Sequence, residues 1–174
     1  VTTRQIAAAA DTNISMIRYY FGSKEGLYEE MIRQTLEPLL EVLDSSLLSS
    51  AGGFGDYLRI YYRTMQENPR FPALILKVLA LNQGPGKRFI FQLLERGRDR
   101  SRDKVNALKQ RGEVDLAVDS DVVRISFVSL AMMPILLKDI FSEQLEREMD
   151  AEFFETLADF NGRLFAAGLI PDKG

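Results

Sequence analysis

A chain of 174 residues with 22 basic and 25 acidic side chains has a net charge of −3 and enough length to bury a substantial core in one or two domains. It contains no cysteine and no histidine, which excludes disulfides, thiolate and imidazole metal sites, and nucleophile–histidine catalysis. An apolar fraction of 46% beside 27% charged residues is ordinary for a globular protein.

The longest apolar run, Phe127 to Leu137, falls well short of the roughly 20 residues that cross a bilayer, and no signal-peptide pattern is present at Val1. The expectation is a cytoplasmic protein that needs no metal and no cofactor. Carboxylate pairs such as Glu29 and Glu30 sit on a solvated helical face with no partner acid or base, so no enzyme is expected.

The first elements are short. Thr2 and Thr3 are cap-type residues ahead of an alanine-rich helix, Arg4 to Ala10. Asp11, Thr12 and Asn13 break it, because Asp and Asn tolerate left-handed backbone and bond to their own main chain. A second helix is predicted from Ile14 to about Phe21, with Ile17 and Phe21 facing inward. Gly22 can close it as a left-handed cap, and Ser23 can cap the next helix at Lys24. Two short helices across such a turn form the unit whose second helix enters the major groove.

The remaining periodicity is helical throughout, giving an all-α chain. Lys24 to about Ser49 reads as one long helix with Leu27, Met31, Leu36, Leu39, Leu40, Leu43 and Leu47 as its apolar stripe and a kink at Pro38. The small-residue tract from Ser49 to Gly55 ends it, and Asp56 is predicted to cap a helix to about Glu67. Asn68-Pro69 breaks that helix before another from Phe71 to Leu81. A turn follows at Asn82 to Gly86, then a long helix from Lys87 to about Gln110 and a loop from Arg111 to Ser120. Strongly apolar helices from Asp121 to about Ser142 and from Ala151 to Ala167 complete eight helices.

Charge separates the ends of the molecule. Residues 1 to 24 hold Arg4, Arg18 and Lys24 against Asp11, a balance of +2, which leaves −5 on the rest. A small basic head on an acidic body suits DNA contact through one end. The stretch from Lys87 to Arg111 has nine basic residues against three acids, and reads as a solvated helix face laced with ion pairs. Gly84-Pro85-Gly86-Lys87 lacks the earlier glycine of a phosphate loop, and Arg88 stands where its hydroxyl residue belongs.

The run Thr-Thr-Arg-x-Ile-Ala, a turn, and Ile-Arg-Tyr-Tyr-Phe-Gly-Ser-Lys-Glu-Gly-Leu resembles the tetracycline-repressor (TetR) family of bacterial transcription regulators over residues 2 to 28. The family's first helix would lie upstream of Val1, and its usual turn glycine is Asp11 here. The resemblance implies a truncated helix-turn-helix DNA-binding head, residues 1–28, and a larger helical effector-binding and dimerisation body, residues 29–174.

It further implies that Asn13, Ile14, Ser15, Met16, Arg18, Tyr19 and Tyr20 line the DNA face, while Thr3, Arg4 and Lys24 hold the phosphate backbone. Arginine can fork onto the two acceptors of a guanine, and tyrosine hydroxyls can hold phosphates. Helices around the family's ligand cavity carry Tyr57, Tyr61, Tyr62, Met65, Phe71, Leu74, Val78, Phe89, Phe91, Leu94 and Met133, a set suited to a small apolar effector. Pairing through 121–142 and 151–167 would give a homodimer on a palindromic operator, acting as a ligand-responsive repressor. An all-helical small-molecule binding protein with a non-functional DNA-binding head is the alternative left open by the same residues.

Overall fold

The computed structural model describes residues 1–44, 53–81 and 84–169. The expected helix end near Ser49, the stripe residue Leu47, positions 49–52 and the turn residues Asn82 and Gln83 lie outside the described residues, as do the side chains of Leu39, Leu40 and Leu43. Among the described residues there are nine helices and no strand.

The head comprises α1 (Thr3–Ala9) and α2 (Ile14–Phe21). The long α3 (Lys24–Asp44) keeps helical backbone through Pro38 and leads from the head into the body. Its Ile32 and Leu36 are both 0% exposed and belong to the body's core.

Helix α4 (Gly53–Glu67) is the centre of the body. It begins three residues before Asp56, which sits in its first turn and does not act as its cap. There Asp56 binds Arg59, one turn on, at 2.5 Å. The other body helices are α5 (Arg70–Leu81), α6 (Gly84–Gln110), α7 (Ser120–Leu136), α8 (Lys138–Gln144) and α9 (Ala151–Ala167). Helix α6 starts at Gly84, earlier than Lys87: Gly84 adopts φ +73° and Pro85 occupies the first turn, where its missing N–H is no loss.

Two apolar clusters fill the body. The larger gathers Leu58, Tyr61, Tyr62 and Met65 of α4 with Ile32, Leu36, Phe71, Ile75, Val78, Ala131, Ile135, Met149, Phe154 and Ala158. The smaller joins Phe54, Val105, Leu108, Val114, Val123, Phe165 and Leu169. Phe127 packs against both.

Helices α4 and α9 approach closest where two glycines meet. A Cβ on Gly162 would lie 2.5 Å from Gly55 Cα and 2.9 Å from Gly55 N, so no larger residue fits without displacing backbone. Beside this contact Arg59 binds Glu155 at 2.6 Å and also Asp159, tying the two helices by charge.

The single helix expected from Asp121 to Ser142 is two helices. Asp119 caps α7, accepting from the amides of Asp121 and Val122. The chain then turns by 68° between α7 and α8 at Leu137. Pro134 lies inside α7 and has no amide hydrogen for the carbonyl of Leu130. That carbonyl accepts instead from the Tyr62 hydroxyl at 2.7 Å. No single helix among the described residues is long and apolar enough to cross a membrane.

Candidate nucleic-acid interface

The head is built by local capping chemistry. Thr2 accepts from the Gln5 amide while the Gln5 side chain accepts from the Thr2 amide at 2.8 Å, a reciprocal capping box. At the other end of α1, the Thr12 amide reaches the Ala7 carbonyl at 2.9 Å and the Asp11 amide reaches Ala8 at 3.3 Å. This is a Schellman closure, with Asp11 in the left-handed position at φ 49°. Aspartate is one of the few residues besides glycine that adopt this conformation at modest cost, so the turn forms without a glycine.

Asn13 caps α2, its side-chain oxygen accepting from both the amide and the hydroxyl of Ser15 at 2.9 Å. Gly22 ends the helix at φ 71°, and Ser23 accepts from the Gly26 amide at 3.1 Å to start α3. Helix α2 has 8 residues and so runs about 12 Å, comparable to the width of a major groove.

The orientation of α2 follows from its apolar positions. Ile17 is 6% exposed and Phe21 half-buried, so they anchor the helix against the head. The opposite face presents Ile14, Ser15, Met16 and Arg18 to solvent, with Tyr19 80% and Tyr20 66% exposed. The two tyrosine rings meet edge-on at 5.0 Å, so each limits the other's rotamers while both hydroxyls stay outside. Arg4, Asn13 and Lys24 are exposed on the same head, and Thr3 is half-buried in the first turn of α1.

An exposed, positively fringed helix carrying aromatic hydroxyls, held by caps and one buried anchor, is a shape for entering a DNA groove. Residues 1–31 match the model of bacterial regulatory proteins, tetR family. The head is of the kind that tetR-family DNA-binding regulators carry. No curated protein matches it.

In the body the expected effector residues divide. Tyr61, Tyr62, Met65, Phe71 and Val78 lie together in the larger core cluster, with Leu74 and Phe89 half-buried against it. Tyr57 is buried beside them, its ring 5.2 Å from Phe127. Leu94, Phe91 and Met133 are not brought into this group; they lie on the outer surface of α6 and α7. The twist of each helix sets this, since α6 gives its inward face to Val105 and Leu108, and α7 to Val123, Ala131 and Ile135.

The basic stretch of α6 is engaged within the chain. Arg88 binds Glu29 of α3 at 2.7 Å, and Arg102 binds Asp121 of α7 through two nitrogens, at 3.1 and 2.5 Å. Lys109 donates to the carbonyls of Leu116 and Val118. These three cations tie α6 to α3, to α7 and to the loop before α7.

One polar group in the body has no counterpart in the sequence reading. Asn161 of α9 is 5% exposed, and its amide nitrogen reaches the Tyr62 hydroxyl at 3.4 Å. Asn161, Tyr62 and Leu130 thus link α9, α4 and α7. The available signals were Pro134 within an apolar helix and an asparagine on an apolar face.

Proposed function

We propose that the protein is a ligand-responsive repressor that binds a palindromic operator in the cytoplasm as a homodimer. The observation that carries this reading is the course of α3. It starts at Lys24, on the DNA face, and two to three turns later buries Ile32 and Leu36 completely in the body core. A rearrangement of the core around an effector therefore tilts α3 and moves the head attached to it. If the effector binds better to the form whose two heads are mis-spaced, operator affinity falls by that difference.

Dimerisation through α7, α8 and α9 is supported by their uncovered apolar side chains. Val122, Ile125, Met133, Ile140, Phe160 and Leu164 are all exposed on the single chain. On α9 they continue a row with the half-buried Phe153 and Leu157, on the side away from the Phe154, Ala158 and Phe165 positions that face α4. An exposed apolar row of this kind marks an interaction site, and a second copy supplies the matching stripe.

A fluorescence-anisotropy titration of the protein against duplexes from its own promoter region tests the reading. Tight binding that weakens steeply with salt is expected. Undetectable or salt-independent binding overturns it.

A further inference from the structure

Helix α5 has the composition of a buried helix but an uncovered outer face. Its 12 residues include two charged side chains, Arg70 and Lys77, and no other polar one. Phe71, Ile75 and Val78 are buried in the body, as an apolar helix requires. Yet Ala73, Leu76, Lys77 and Ala80, spaced i, i+3, i+4 and i+7 on the opposite side, are all exposed. A helix that is apolar on both sides calls for cover on both.

Charge narrows what the cover can be. From Arg70 to Leu94 the chain carries four cations and no carboxylate. Arg88 is bound to Glu29 at 2.7 Å, whereas Arg70, Lys77 and Lys87 are exposed and enter no ion pair among the described residues. Lys87 belongs to the same region, because a Cβ on its neighbour Gly86 would lie 3.0 Å from the Val78 side chain of α5. A fitting partner therefore brings acids and an apolar side chain together. DNA would supply the negative charge but no apolar cover.

The chain itself offers such a segment. At the end of α8, Glu143, Glu146 and Glu148 are exposed and enter no ion pair among the described residues, and Leu145 between them is 52% exposed. Arg147, the one cation in this stretch, lies over the Phe153 ring at 5.2 Å. The corner is held in shape. Glu146 closes α8 at φ 49°, the Arg147 amide donates to the Ser142 carbonyl at 3.1 Å, and Met149 is buried. A corner fixed in advance loses little freedom on docking.

We propose that the outer face of α5 in one copy docks the Glu143–Glu148 corner of a second copy. Arg70, Lys77 and Lys87 meet the three glutamates, and Leu145 lies against Ala73, Leu76 and Ala80. Both areas are uncovered in the single chain, so the contact is made between copies. It is separate from the seam proposed through α9, and it links seam dimers into tetramers or larger assemblies.

The test is sedimentation velocity of the full chain at about 50 mM and about 1 M salt, the latter cutting the reach of exposed charges to about 3 Å. The apolar seam survives salt, so the largest species should fall from tetramer or above to dimer. Lys77→Glu/Lys87→Glu and, separately, Glu143→Lys/Glu148→Lys should each weaken the salt-sensitive step by about 10-fold or more. An equimolar mixture of the two variants should restore it, because each reversed area then meets its opposite on the other chain. A folding defect in either variant would not be repaired by mixing. Phe160→Glu/Leu164→Glu should lose the seam and keep the salt-sensitive step.

A single sedimenting size at both salts, or a mixture that stays dissociated, overturns the proposal. So does a loss of promoter-DNA affinity in Lys77→Glu/Lys87→Glu with association unchanged, which makes nucleic acid the occupant of this face. Loss of the salt-sensitive step in Phe160→Glu/Leu164→Glu would place that step in the seam and overturn it too.

Discussion

The Tyr62 hydroxyl donates to the carbonyl of Leu130 across 2.7 Å, and that carbonyl is open because Pro134, four residues on, brings no amide hydrogen. A sequence-local defect in α7 is thereby satisfied by a side chain 68 residues away. The prediction is a coupling. Tyr62→Phe should cost about 1–3 kcal/mol, because the buried carbonyl and Asn161 both lose a partner. Pro134→Ala restores an amide in reach of Leu130, so the double variant should lose at least about 0.5 kcal/mol less than the sum of the single losses. Urea unfolding of the four proteins closes the cycle, and strict additivity would show that Pro134 does not prepare the site for Tyr62.

The glycine pair predicts an asymmetry. Gly162→Ala drives a methyl to 2.5 Å from Gly55 Cα and should destabilise by about 1–3 kcal/mol. Gly55→Ala meets its nearest atoms, the Ala158 carbonyl oxygen and Gly162 Cα, at 3.6 Å, an ordinary contact. It should be neutral, or stabilise by up to about 1 kcal/mol through helix propensity. Thermal unfolding reads both, and equal losses would place the close approach elsewhere.

Arg18 and Lys24 are expected to fail differently. Arg18→Ala should cost about 1–3 kcal/mol at one operator position and relax the preference there, as loss of a forked contact to guanine does. Lys24→Ala should weaken all sequences evenly and lower the salt slope by about 1. A panel of single-base operator variants measures this, and an even loss for both residues would remove Arg18 from base reading.

For the dimer seam, Phe160→Glu with Leu164→Glu should weaken association by about 100-fold or more, because the new carboxylates would be buried unpaired. Leu116→Glu is the control: Leu116 is 77% exposed in the loop between α6 and α7 and should leave association unchanged. Sedimentation velocity over a dilution series distinguishes the two. A seam variant that still dimerises normally would move the interface off α9.

Alkaline stability follows from the tyrosines of α4. Burial raises Tyr57, Tyr61 and Tyr62 above their ordinary value of 10.0. Above about pH 10 the unfolded chain therefore releases its phenolic protons first. The stabilisation is complete below that pH and is lost as the pH rises through the folded-state values. Tyrosinate absorbance should show these three ionising together with loss of helical circular dichroism. Ionisation well before unfolding would contradict their burial.

Much of the head could be read from sequence because its signals are short-range. Thr2, Asn13, Gly22 and Ser23 each act on backbone within three or four residues, and each does so in the structure. The inward anchors Ile17 and Phe21 follow from helical spacing alone. Further from the head, local pattern loses its hold. The α7–α8 break was hidden because the apolar run from Phe127 to Leu137 looks continuous, and its proline is accommodated by a distant hydroxyl. Asp56 has the chemistry of a cap, yet α4 starts ahead of it. The outward placement of Phe91, Leu94 and Met133 depends on which face of α6 and α7 the neighbouring helices claim, and no periodicity within one helix states that.

With bare backbone against bare backbone at Gly55 and Gly162, α4 and α9 have no side-chain cushion to deform between them. Helix α4 at the centre of the body and the helix proposed to form the subunit seam are held there at backbone contact. In the proposed dimer, a shift of α4 is passed through α9 toward the partner protomer.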